Sequence, residues 1–263
     1  MPRPVFLLAL PLLAACATTP PPPDARRQCD LAAASNLDTT RPADIEGILP
    51  GKVDPNLALA PCEAALATDP DNPRLMFQLG RAAYEAKDYE RSLRLYVTAA
   101  ERGHIIAANN AGVQFEKGQG TAKDQARAEH YYTVAAEAGL AIAMRNLGEQ
   151  LAKHETPTAE AEAVFWFHRA AEAGHSGGMV WYAYMLENGW GARMDHKEAA
   201  TWYRRAAEAN NTDGMTAYAV MLLEGRGVSR NRAEALILLG RAAEMGHPDA
   251  KKRLAAFTPR ASR

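Results

Sequence analysis

This 263-residue chain has almost no net charge: 30 Lys and Arg stand against 31 Asp and Glu, for a formal charge of -1. A general nucleic-acid binder carries a basic face, and this balance argues against that class. The short basic run Lys251-Lys252-Arg253 reads as a solvated helix end that suits the negative pole of a helix dipole. Catalytic signatures are lacking too. No Ser sits in a G-x-S-x-G elbow, and no glycine-rich turn is followed by Lys-Ser/Thr. The string His154-Glu155-Thr156-Pro157-Thr158 has a threonine where a zinc-binding H-E-x-x-H motif needs its second histidine. His130, His154, His168 and His196 are scattered with no pairing at ligand spacing. We therefore expect no catalytic set, no metal site and no cofactor.

Long apolar runs are missing except at the start, which reads "MPRPVFLLALPLLAAC". The run from Val5 to Ala15 is too short for a mature membrane-spanning helix and fits a cleaved export signal. Leu13-Ala14-Ala15-Cys16 resembles the lipobox of bacterial lipoproteins, whose signal is cut before a cysteine that then carries lipid. The n-region holds one basic residue, Arg3, and an ordinary export signal with an incidental cysteine is the alternative. Residues 1–15 would be signal peptide, and 16–25 the lipidated Cys16 with a spacer. "ATTPPPPD" favours extended polyproline backbone, which would hold the folded part off a membrane surface. Loss of residues 1–15 removes Arg3 and no acid, moving the formal charge to -2, so attachment would rest on lipid and not on a basic patch. The implied place is the periplasmic side of a bacterial envelope. Ala17 after the cysteine, where some lipoproteins have Asp, favours the outer membrane.

Cysteine is scarce, with three in all. Beyond Cys16 there remain Cys29 and Cys62, an even pair, and no histidine stands beside them to complete a zinc site. In an oxidising compartment such a pair reads as a disulfide.

What the chain has in abundance is repetition. "TAAERG", "VAAEAG", "RAAEAG", "RAAEAN" and "RAAEMG" end at Gly103, Gly139, Gly174, Asn210 and Gly246, at intervals of 36, 35, 36 and 36 residues. A fixed period of this size marks a solenoid of stacked units. Within 175–210, Met179, Tyr182, Ala183 and Leu186 give one amphipathic helix. Gly189 and Gly191 then break it. Asp195 opens a second helix through Ala199, Trp202, Tyr203 and Ala206, and Asn210 closes it in the left-handed conformation. Each unit is thus two antiparallel helices of about 13 residues. Across units the first helices share Gly112, Gly148, Ala183 and Ala219, where helix axes come close. The second share Ala128, Ala163, Ala199 and Ala235, with groove-filling Tyr131, Trp166, Trp202 and Leu238.

Asn146-Leu147-Gly148, the G-x-G pairs at Gly118/Gly120, Gly189/Gly191 and Gly225/Gly227, and the A-A-E-x-G endings resemble the Sel-1-like repeat, a subclass of the tetratricopeptide class. The resemblance implies an all-α, right-handed solenoid of helix pairs that mostly binds proteins. His104, His175 and His247 occupy the histidine slot of that pattern. Sel-1-like units are expected at 104–139, 140–174, 175–210 and 211–246, with a C-terminal capping helix and tail at 247–263. The second departs from the pattern: residues 152–160 lack both glycines. Residues 72–103 look like a plain tetratricopeptide unit. Before them, 26–71 reads as a cap: a helix near 26–35, a long loop, and a helix near 56–67, joined by Cys29–Cys62.

By analogy with tetratricopeptide arrays, the first helices line a concave face. That gives Phe77, Arg81, Tyr84, Asn109, Glu116, Arg145, Glu149, Tyr184 and Glu187 as candidate partner contacts, with Arg145 and Tyr184 expected to be exposed. Asn109, Arg145, Val180 and Thr216 are equivalent yet chemically unlike. Reading an irregular partner explains such variety, and so does a merely solvated surface. Trp190, between two glycines, is either tucked back over the helix pair or an anchor for a partner. A non-enzymatic protein-interaction scaffold is the leading expectation. The alternative is a cell-wall-compound binder or weak β-lactamase-like enzyme, as described for cysteine-rich relatives of these repeats; those carry a disulfide in nearly every unit, whereas no cysteine follows Cys62 here.

Overall fold

The computed structural model of the protein describes residues 24–257. The signal-like run, Cys16 and most of the proline spacer lie outside the described residues, as does the tail 258–263. Helices α1 (Ala25–Ala33) and α2 (Pro55–Thr68) form the cap. Five helix pairs follow: α3 (Pro73–Glu85) with α4 (Tyr89–Glu101), α5 (Ile105–Lys117) with α6 (Gln125–Glu137), α7 (Ala141–Ala152) with α8 (Pro157–Glu172), α9 (Ser176–Asn188) with α10 (His196–Glu208), and α11 (Thr212–Glu224) with α12 (Arg232–Glu244). A single helix, α13 (Pro248–Phe257), packs on α12. Each helix packs on its neighbours in sequence, the quasi-one-dimensional arrangement of a solenoid. The expected all-α solenoid with a disulfide-linked cap is what forms.

The helix boundaries follow from capping. The second helices start on Asp88, Asp124, Thr156, Asp195 and Asn231, each of whose side chains accepts a first-turn backbone N–H. The first helices of the G-x-G units end on a left-handed glycine, Gly118, Gly189 or Gly225. The second glycine of each pair has a different duty. At Gly191 and Gly227, φ is positive, and a Cβ would come within 2.3 Å of Glu160 and 1.9 Å of His196 backbone atoms. The loop thus sits directly on the opening turn of the preceding unit's second helix, a place only glycine fits. The glycine-free unit does turn differently: Lys153 stays in the right-handed helical region, and Glu155 takes the positive φ, at 51°.

The repeated Ala-Ala endings have a packing cause. Ala135, Ala170, Ala206 and Ala242 are fully buried. A Cβ on Gly178 would come 2.6 Å from the Ala170 methyl, and one on Gly214 2.5 Å from that of Ala206. Any larger residue would push the next unit away. The small residues in mid-helix face rings: a Cβ on Gly80, Gly112 or Gly148 would meet Tyr96, Tyr132 or Phe167 at 2.7, 2.8 and 2.6 Å. These rings correct the sequence reading by one residue. The deepest groove fillers are Tyr132, Phe167, Tyr203 and Leu239, all 2% exposed or less, rather than Tyr131, Trp166, Trp202 and Leu238. Each second helix is packed between two first helices, so adjacent positions face different neighbours and both are apolar.

In the cap, Cys29 and Cys62 are bonded, with Cα atoms 4.6 Å apart, and both are fully buried. Asp30, beside Cys29, is buried and accepts hydrogen bonds from Gln78 at 2.8 Å and from Arg74. The loop between the cap helices folds over α3. It brings Asp38 to 3.5 Å from His104 at the start of α5. Burial alone would raise the Asp38 carboxyl, but the nearby His104 ring and the hydrogen bonds donated by Thr40 outweigh it and hold the pKa at about 2.

Candidate functional site

Two cavities lie along the first helices. The N-terminal one, about 380 Å³, is bounded by the cap loop and by α3, α5 and α7. It gathers Phe77, Arg81, Tyr84, Asn109, Glu116, Arg145 and Glu149, seven of the nine face residues proposed from sequence. The C-terminal one, about 620 Å³, lies on α9, α11 and α13 and contains the other two, Tyr184 and Glu187.

Within the first cavity the structure divides these residues by role. Phe77 is 1% exposed and stacked on His104, with ring centroids 4.3 Å apart. Arg81, 6% exposed, donates to the carbonyls of Ala33, Ile48 and Leu49, so it fastens the cap rather than reaching outward. Asn109, 5% exposed, accepts from Asn146 at 2.9 Å across the α5–α7 interface. These three are structural, because the cap loop covers α3 and because α5 and α7 meet through the asparagines. Tyr84 donates to Gln119 at 3.2 Å, tying α3 to the loop after α5. Glu116 accepts from Tyr132, Gln150 and Lys153 at 2.8, 2.5 and 2.8 Å. Burial opposes its charge, and these three donors still hold its pKa below the usual carboxylate range. Arg145 is half-buried, not exposed as expected, and donates to Asn146 and to Glu149 at 3.0 and 2.8 Å. Burial pushes the Glu149 carboxyl up against the opposing charge of Arg145.

The second cavity is more open. Val180, Trp181, Ala217 and Val220 line it, with charged groups beside them. Glu187 accepts from Tyr203 at 2.9 Å and from Arg226 at 2.5 Å, repeating the Glu116–Tyr132 pair two units earlier. Phe167 stacks on Trp181, Trp181 meets Tyr184 edge-on, and Tyr184 meets Trp190 edge-on, at 5.5, 5.8 and 5.4 Å. This chain of rings runs from core to surface. Tyr184 is 37% and Trp190 46% exposed. Trp190 therefore leans on Tyr184 while keeping half its surface in water.

A Thr–His–Asp triplet also lies in this cavity. His247 Nε2 is 2.9 Å from Asp213, and its Nδ1 is 3.3 Å from the Thr216 hydroxyl. The geometry is not that of an activated nucleophile. Thr216 donates its proton to the Thr212 carbonyl at 2.7 Å, and Nδ1 already accepts the Ala250 N–H at 3.1 Å. Trp181, Gln150, Lys153 and Arg226 are face residues that sequence reasoning did not assign. Trp181 stands on α9 one turn before Tyr184, and that spacing was the available signal; Gln150, on α7, and Lys153 and Arg226, just beyond the ends of α7 and α11, carried none. Among the described residues no group of three or more His, Cys, Asp or Glu side chains is placed to hold a metal ion.

The Sel1 repeat family model matches residues 62–104, 105–140, 141–175, 176–211 and 212–247. The chain belongs to the Sel1 repeat family. Its first matched unit takes in 72–103, where the sequence suggests a plain tetratricopeptide unit, and reaches back to Cys62. The chain is similar in structure to a Sel1 repeat protein from Oxalobacter formigenes, with TM-score 0.68, 26% identity, and coverage of 75% of this chain and 82% of that one. It is similar also to a protective antigen of uropathogenic Escherichia coli strains, with TM-score 0.68 and 24% identity over 78% of this chain. The chain spans 45% of that antigen's length. No curated protein sequence matches it. Repeats of this type generally serve as protein-interaction scaffolds and not as enzymes.

Proposed function

We propose that this protein is a non-enzymatic adaptor held by a lipidated Cys16 on the periplasmic side of a bacterial membrane, where its first-helix face binds a protein partner. The observation that carries the reading is the Tyr184–Trp190 pair: two large rings, each more than one-third exposed, side by side next to the more open cavity. Aromatic anchors of this kind dominate protein interfaces. Polar residues along the face are already paired between units, Arg226–Glu187 in the cavity of Tyr184 and Lys153–Glu116 at the N-terminal cavity, so the face is pre-organised for a partner. Arg145 serves the scaffold more than the contact, so a charge reversal there would damage the fold next to Glu149.

Tyr184→Ala with Trp190→Ala is the test. Partner recovery by crosslinking from the native envelope is expected to fall about 30-fold, the equivalent of one interface hot spot. The melting temperature should stay nearly unchanged, since both rings are largely outside the core. Undiminished recovery would remove this face from the binding surface.

The anchor is proposed from Leu13-Ala14-Ala15-Cys16 and the proline spacer. No helix among the described residues is long and apolar enough to cross a membrane. Cys16→Ser should leave the precursor uncut or shift the protein out of the membrane fraction. A mature N-terminus located elsewhere by mass spectrometry would refute it.

A further inference from the structure

The position before α5, α7, α9, α11 and α13 is filled in turn by His104, Leu140, His175, Asn211 and His247. His104, His175 and His247 accept a backbone N–H through Nδ1, from Ala107, Gly178 and Ala250 at 3.2, 3.1 and 3.1 Å. An imidazole does this only while Nδ1 carries no proton. Protonation turns the acceptor into a donor facing another donor.

The three rings have different surroundings. His104 has Asp38 at 3.5 Å, and His247 has Asp213 at 2.9 Å, so each has a carboxylate to balance a positive charge. His175 has Arg145 instead. A Cβ on Gly177 would sit 3.1 Å from His175 Cε1 and 3.6 Å from Arg145 Nε, which places the guanidinium beside the ring. Arg145 Nε is buried without a hydrogen-bond partner, so the site has no spare acceptor for further positive charge. On α7, Glu149 is the carboxylate paired with Arg145. From α8, Ala170 and Ala171 back Gly178, and His168, with Glu172 at 3.7 Å, packs its ring on Tyr182 of α9 at 4.6 Å, one turn beyond the capped turn, so it too has a carboxylate for a positive charge. From the start of α11, Asn211 reaches Ser176. The turn that His175 caps is Ser176-Gly177-Gly178, and glycine is the weakest helix former after proline.

We propose that His175 is an acid-release catch: its protonation opens the first turn of α9 and loosens the joint between the α7–α8 and α9–α10 pairs. Burial, aided by the Arg145 charge, lowers the imidazole pKa. The sign follows from linkage. A folded pKa below the unfolded value of about 6.5 gives stability that is full above that pH and is lost as pH falls through the folded value. The catch therefore holds at neutral pH and lets go in acid. Because α9 also carries Trp181 and Tyr184, acid would disturb the proposed partner face; that consequence rests on the function proposed above, whereas the catch itself does not.

Hydrogen exchange of the full chain, stepped from pH 7.5 to 5 and corrected for intrinsic rates, reads the catch without any partner. Protection of the Gly178 amide should fall about fivefold or more, the worth of one helix cap. His175→Asn should abolish the fall, since Asn211 caps Gly214 at 2.9 Å in the same slot of the next unit. His104→Asn and His247→Asn should leave it intact. Arg145→Gln should move its midpoint to higher pH. Protection that does not change with pH in the unaltered protein, or an acid response that survives His175→Asn, overturns the proposal. If His175→Asn does not fold at pH 7.5, a midpoint unmoved by Arg145→Gln does the same.

Discussion

Cys29→Ala combined with Cys62→Ala will cost the cap about 4 kcal/mol, the chain-entropy value for the closed loop, whose cysteines are 33 residues apart. The loss should be local. In a solenoid each unit depends on its neighbours, so the far units need not follow when one end opens. The disulfide ties α1 to α2, and the cap is held on α3 by a small set of polar groups: the Asp30 contacts with Gln78 and Arg74, and the Arg81 bonds to the Ala33, Ile48 and Leu49 carbonyls. A cap separated from α3 would leave Arg81 without those carbonyls, and Asp38 would lose its hold on His104. Hydrogen exchange should show α1, α2 and α3 opening early in denaturant, with α9 to α12 protected as before. Equal protection of the cap in the variant would mean that packing of Val53, Ala58 and Leu75 suffices and that the bond adds little.

The array and the cap pairing were legible because repetition supplies its own alignment. Five equivalent strings fix the period, whereas unit differences at Asn109, Arg145, Val180 and Thr216 do not mark a surface, since Asn109 and Thr216 are buried. The same logic misassigned residues where the period stops. Arg81 is in register with face residues of later units, but a cap loop with no counterpart elsewhere in the chain covers it. Phe77 is buried for the same reason, under a histidine that itself caps α5. The partner face was legible only as a list of positions. Whether Arg145 points to water or into the joint depends on Asn146, Glu149 and Gly177 together, a three-body arrangement that spacing along one helix does not encode. Adjacent ring positions failed differently. Tyr131 and Tyr132 both pack, and no periodicity within one helix says which faces Gly112.

That last ambiguity yields a second large effect, centred on Phe167. Its ring lies between Gly148 on α7 and Trp181 on α9, so it joins three helices in the middle of the array. Phe167→Ala should cost about 3–5 kcal/mol by leaving a cavity there. Gly148→Ala should also destabilise, by about 1–3 kcal/mol from overpacking less about 1 kcal/mol of helix propensity regained, because its Cβ would meet the ring at 2.6 Å. The α11–α12 pair shows the compensated form of the same contact: Ala219 stands where Gly148 does, and Leu239 where Phe167 does, both fully buried. Gly148→Ala with Phe167→Leu should therefore lose less than the two single changes added together, by about 1 kcal/mol or more. Urea unfolding of the four proteins measures the coupling. Strict additivity would show that the two residues do not share one packing site, and that the small residue at each first-helix midpoint is chosen for some reason other than the ring opposite it.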